Sequence, residues 1–176
     1  MKTVGLDCAT CTGMALVGDE EDRGKTVQVP NERGYLRLQL IANEVAETLQ
    51  IWQPAFVAIE GYAYVRNVGA FVKLVEVGTM VRSVLYTLGI PWVEVPPTVL
   101  KKWTTGKGNA TKDMMALSVK QRWAYQSHSH DIVDAYALAQ MAQLGWDAIR
   151  NVQGVTIGWA SLGTMLDPPR SGKELM

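Results

Sequence analysis

"VGLDCATCTGMALV", residues 4–17, is the stretch from which the fold is read. An apolar strand ends in an aspartate, turns within about five residues and returns as a second apolar strand. A link that short joins antiparallel strands, because a parallel crossover needs a dozen residues or more. In the outgoing strand Val4, Leu6 and Cys8 fall on one face, while Thr3, Gly5 and Asp7 fall on the other. Asp7 thus closes a strand at its carboxyl end, where α/β sheets build their sites.

The same stretch holds Cys8 and Cys11, spaced like half a zinc site or a redox pair. A zinc site needs four ligands, and the chain's two histidines, His128 and His130, have the wrong spacing to complete one. A redox C-x-x-C opens a helix, whereas this one lies in a hairpin. Cys8 points with Val4 and Leu6, so it reads as a small buried residue. The aspartate carries the chemistry.

Downstream, "KTVQV" reads as a third strand, and Leu38, Ile41, Val45 and Leu49 mark an amphipathic helix over 34–52. "PAFVAIE" is a continuous apolar run, the mark of a strand covered on both faces. A helix over 68–88 ends at Gly89, and "PWVEV" is a strand stopped by Pro96 and Pro97. A short helix at 97–103, the loop "TTGKGNA", and helices near 110–123 and 129–145 complete the order β-β-β-α-β-α-β-α-α. That order is an α/β fold with a five-stranded mixed sheet, three antiparallel strands joined to two parallel ones, flanked by helices. Residues 1–150 are expected to form one domain and 151–176 an extension without an assigned role.

At 176 residues, with 48% apolar and 19% charged residues, the chain is an ordinary globular protein that needs no staples. No apolar run reaches the roughly 18 residues of a membrane helix, and the start lacks a signal-peptide pattern. Cysteine usage then points to a reducing, cytoplasmic setting. The formal net charge of zero conceals an asymmetry: Arg66 to Arg122 holds nine Lys and Arg against three acids. Lys101, Lys102, Lys107 and Lys112 concentrate it, a footprint for anions.

Glu60 closes the fourth strand as Asp7 closes the first, and the small Gly5 and Ala58 two positions back leave room in front of the sheet. Asp131 and Asp134, three apart in "SHDIVDAYALA", share a helix face that is otherwise apolar. Acids in such surroundings are costly unless paired or bound to metal. Singly, each reads as easily as a turn former or a helix-dipole charge. Four carboxylates from three segments are the hard oxygen set that a two-Mg²⁺ phosphodiesterase site requires.

The pieces "VGLDCATCTGMALV", "VAIEGYAYVRN", "KLVEVGTMVRSVL", "GIPWVEVPPTVLKKWTTGKGNATKDMM" and "HDIVDAYALA" run in one order over roughly residues 2–145. In that order the chain resembles the RuvC-type Holliday junction resolvases of the ribonuclease H-like superfamily, especially phage-borne members. The resemblance implies Mg²⁺, replaceable by Mn²⁺, held by Asp7, Glu60, Asp131 and Asp134, and cleavage of four-way or other branched DNA by a homodimer. It implies DNA contacts from Lys101 and Lys112, with Lys102, Lys107, Tyr62, Tyr64 and Arg66 as further candidates. Two departures stand out: Cys8 and Ala9 replace the family's Pro-Gly after the first aspartate, and Ala63 replaces its aromatic, between Tyr62 and Tyr64. His128 and His130 flank the last acid motif and could orient water or touch DNA.

The competing readings are an RNA-processing nuclease of the same fold, an actin-like ATPase fragment, and a catalytically dead nucleic-acid-binding module. An actin-like protein needs two such domains, and "TGKGNATK" lacks the order of a phosphate-binding Walker loop. A homodimer would use the 68–88 helix, through Val72, Val75, Thr79 and Val84.

Overall fold

The computed structural model describes residues 1–62, 67–145 and 148, and the backbone of 156–158. The chain runs β1 (Thr3–Asp7), β2 (Cys11–Val17), β3 (Arg23–Gln28), α1 (Gly34–Trp52), β4 (Phe56–Glu60), α2 (Val68–Thr87), β5 (Trp92–Val95), α3 (Pro97–Thr105), α4 (Lys112–Trp123), α5 (His130–Ala142) and β6 (Thr156–Gly158). The sheet order is β3-β2-β1-β4-β5-β6. β1, β2 and β3 pair antiparallel, while β4 and β5 run parallel to β1. These are the five strands expected from the sequence. β6 is an addition: it pairs antiparallel with β5 and lies within the segment expected to be an extension.

Local signals set the helix ends. Asn67, Thr111 and Ser129 cap α2, α4 and α5, each side chain accepting the backbone N–H three residues on. α3 starts at Pro97, where no N–H partner is needed, and stops at Gly106 in the left-handed conformation.

Strand alternation sorts the core into two layers. Val4, Leu6, Met14, Leu16, Val57 and Ile59 face α1 and α2, meeting Ile41, Val45, Leu49, Val77, Val81 and Leu85. Ala15, Ala58, Val93 and Val95 face α3, α4 and α5. Cys8 is buried on the first of these layers, as its alternation with Val4 and Leu6 predicts, and neither cysteine is in a disulfide.

The room read in front of Gly5 and Ala58 is filled by α5. A Cβ on Gly5 would run into the carbonyl of Ala135, and one on Gly13 into the carbonyl of Asp131. Small residues on the helix complete the approach, with Ala135 and Ala139 fully buried. Polar bonds then lock its position. Thr3 Oγ1 donates to Ala139 O at 3.0 Å, and Gln143 Nε2 donates to Met1 O at 2.7 Å and Val17 O at 3.2 Å. Tyr136, stacked on Tyr125 at 3.8 Å, donates its hydroxyl to Asp22 at 2.6 Å, tying α5 to the β2–β3 turn.

On the opposite layer, the N-terminal half of α2 leaves apolar surface uncovered. Val68, Phe71 and Val72 are 74%, 37% and 46% exposed. Of the four residues expected at a dimer contact, Val72 and Thr79 are exposed and Val75 and Val84 half-buried, Val84 against the core. No helix among the described residues is long and apolar enough to cross a membrane.

Gly5→Ala should therefore cost about 3 kcal/mol or more, since backbone rather than a yielding side chain opposes the new methyl. Gly69→Ala, whose Cβ meets only Asn67 Oδ1 at 3.4 Å, should be neutral or mildly stabilising. Urea unfolding of the two variants checks the contrast, and equal midpoints would refute it.

Candidate active site

Leu6 pairs with Ile59 in the parallel β1–β4 ladder, so the next residues, Asp7 and Glu60, leave the sheet side by side. Their carboxyls share a hydrogen bond. Burial, then repulsion from Glu60, Asp134 and Asp131, pushes the Asp7 carboxyl well above the usual carboxylate range. Glu60 is also raised by burial, against the pull of the Asp7 hydrogen bond, Lys101 and Lys112. Proton binding by the pair is thus favoured, at Asp7 above all.

α5 delivers the other two acids in its first turns. Asp134 is pushed up to about 6, chiefly by burial and then by Glu60, with Lys112 and Lys101 pulling the other way. Its Oδ1 is buried with no hydrogen-bond partner. Asp131 lies 3.7 Å from the Lys112 ammonium, and burial and then Asp131 push the Cys11 thiol up. The four acids expected from the sequence thus meet in one place, with Lys101 and Lys112 as their countercharges.

Other expected residues fall around this centre. The exposed Lys102 and Lys107 lie at the end of α3 and in the next turn, where the Lys102 carbonyl accepts from Gly106 N–H and Lys107 N–H donates to Thr105 Oγ1. His128 and His130 are exposed, one before α5 and one at its start. Tyr64 and Arg66 lie outside the described residues. Tyr62 is already engaged: the Arg82 guanidinium sits 4.5 Å from its ring centre and donates to its hydroxyl at 3.2 Å. Arg82 is itself held in a two-point ion pair with Glu94, at 2.7 and 2.9 Å. Sequence reading missed this pair and the thiol of Cys11. Glu94 in an otherwise apolar strand was the available signal for the first, because a buried acid needs a partner.

The donor set suits a hard divalent cation: four carboxylates, excess negative charge and one orphaned buried oxygen. Among the described residues, however, no three His, Cys, Asp or Glu side chains form a ready cation cage. Lys101 and Lys112 partly offset the repulsion among the acids.

Residues 6–141 match the family described as Crossover junction endodeoxyribonuclease RuvC. The chain belongs to the RuvC family. The family's protein from Syntrophomonas wolfei is 30% identical over 148 residues, covering 79% of this chain and 86% of that one. The one from Chlorobium chlorochromatii is 31% identical over 105 residues, 58% of this chain and 55% of its own length. Among solved structures, T. thermophilus RuvC in complex with Holliday junction substrate superposes with a TM-score of 0.73 at 24% identity, covering 86% of this chain and 97% of that one. That likeness shows the RuvC fold, which is ribonuclease H-like. The family match spans all four acids and both inner lysines.

The raised Asp134 carboxyl gives a pH signature. Its folded-state value of about 6 exceeds the unfolded value of about 3.9, so the folded chain binds the extra proton and loses stability as pH rises from about 4 through 6. In chelator, Asp134→Asn should be more stable than wild type by about 1–3 kcal/mol near neutral pH, with the gap closing toward pH 4. Thermal unfolding across that range checks the sign. Added Mg²⁺ should stabilise the wild type more than the variant.

Proposed function

We infer that this RuvC-family chain is a divalent-metal-dependent endonuclease that cuts phosphodiester bonds at DNA four-way junctions, working as a homodimer. The observation that carries the reading is the gathering of Asp7, Glu60, Asp131 and Asp134 into one partly buried, self-repelling cluster flanked by Lys101 and Lys112. Lys112, more exposed than the Asp131 it touches, offers an ammonium group to a phosphate, and the acids favour cations.

Asp7, Glu60, Asp131 and Asp134 would hold the metal, Mg²⁺ or Mn²⁺. In a two-ion arrangement, the metal would supply water activation and stabilisation of the leaving oxygen. The protein's own part is positioning and charge. Asp7 and Glu60, on adjacent strands, would both serve as carboxylate ligands. Lys112 exchanges its contact with Asp131 for the DNA phosphate, and Lys101 adds a second positive charge, so both contacts are salt-dependent. Lys102 and Lys107 extend that basic surface along the arm of the junction, with Tyr62, Tyr64 and Arg66 on the segment after Glu60. Residues 1–150, with β6 added at the margin of their sheet, act as the nuclease domain, at work on DNA in the cytoplasm of a bacterial or phage-infected cell.

Two subunits suit a substrate with two equivalent strands to cut. The uncovered Val68, Phe71 and Val72 on α2 support that helix as the twofold contact.

Asp7→Asn should fold, bind a synthetic four-way junction in Ca²⁺ at least as tightly as wild type, and lose cleavage in Mg²⁺. Cutting at the wild-type rate by this variant would overturn the reading, as would a wild type that cuts linear duplex as readily as junctions. For the dimer, Phe71→Glu should shift sedimentation at micromolar concentration from dimer to monomer. A wild-type monomer with full junction cleavage would remove that part.

A further inference from the structure

Between α4 and the connection to α5 lies a groove of about 310 Å³, lined by residues that the acid cluster does not use. Leu117 and Tyr125 give it apolar walls, Val133 its floor, and Lys120, Ser127 and His128 its polar rim. None of its lining residues is acidic.

The aromatic wall is preformed. Tyr125 is fixed by its stack on Tyr136, with ring centres 3.8 Å apart and planes 4° from parallel. Ala124 N–H closes α4 onto the Lys120 carbonyl at 3.0 Å, and Ser129 N–H donates to Ser127 Oγ at 3.1 Å. Yet the rim is unspent: neither the Lys120 ammonium, the Ser127 hydroxyl proton nor the His128 imidazole has a partner among the described residues. Leu117, at the wall, is 55% exposed. A groove with a fixed aromatic wall and free donors is how ligand sites are built, and this volume is at the small end of their range of about 300–1,000 Å³.

Its position ties it to the acids. Val133, on the floor, lies between Asp131 and Asp134 in α5. On α4, Lys112, Ala116 and Lys120 follow at four-residue intervals, so one helix face runs from the Asp131 contact to the groove. Lys112 and Lys120 are then about 12 Å apart along the axis. A DNA strand rising about 3.4 Å per nucleotide in duplex, and more when unstacked, covers that span in two to four nucleotides.

We propose that the groove holds one unpaired nucleotide of the strand being cut, two to four nucleotides from the scissile phosphate. Its phosphate meets Lys120, Ser127 and His128, and its base lies against Leu117 and Tyr125. The groove is too small for a base pair, so it selects DNA that is open next to the cut. This rests on the nuclease reading above and adds a specificity site to it.

The test scans a single abasic position outward from the cut, on both sides, in an otherwise intact four-way junction. Wild type should show a rise in KM of about tenfold or more at one position within that window, the worth of one stacked base. In Leu117→Glu, and independently in Lys120→Gln, abasic and intact junctions should become indistinguishable at that position. Both side chains are exposed, and circular dichroism confirms folding. A wild type that cuts junctions yet gives a flat scan overturns the groove alone, whereas one that cuts no junction overturns the nuclease reading with it. A flat scan together with loss of the dimer in Leu117→Glu would put a second copy of the chain in the groove and also overturns the proposal.

Discussion

The closeness of α5 to the sheet is the constraint from which the rest follows. Gly5 and Gly13 leave no Cβ between β1, β2 and the helix, so main chain lies almost on main chain. At a normal helix–sheet distance, Asp131 and Asp134 would stand away from Asp7 and Glu60. Here all four acids feel one another. The Thr3 and Gln143 hydrogen bonds fix the far end of the helix, and Tyr136 on Asp22 fixes its middle. Repulsion among the acids therefore cannot relax by moving the element that carries two of them.

That rigidity turns packing energy into electrostatic tension. Raised carboxyls at Asp7, Glu60 and Asp134 each mark free energy that the folded chain spends to keep charge together. Lys101 and Lys112 relieve part of it, from α3 and α4 on the same layer as α5. A site of this kind is destabilising by itself and becomes favourable with the ligand it serves.

Much of this was legible in the sequence because strand ends and alternation are local. The short turn after Asp7 required a hairpin, the apolar run before Glu60 required a buried strand, and the i, i+3 spacing put Asp131 and Asp134 on one face. Cys8 followed from its neighbours Val4 and Leu6. Gly5 was visible too, but as empty space; only the tertiary fold shows that a helix backbone occupies it. The Arg82–Glu94 pair joins a helix to a strand twelve residues on, and no spacing rule links such positions. β6 escaped because a three-residue strand carries too little periodicity to register.

The short β6 also changes how the molecule meets other chains. A sheet whose last strand is bare presents a row of unpaired N–H and C=O groups that can recruit a foreign strand. Pairing Thr156, Ile157 and Gly158 with Glu94, Val93 and Trp92 covers β5 and moves the open margin to a strand of three residues, a short template for a foreign strand. The opposite margin, β3, is guarded differently, by Arg23 and Lys25 with their partners Asp19 and Glu44.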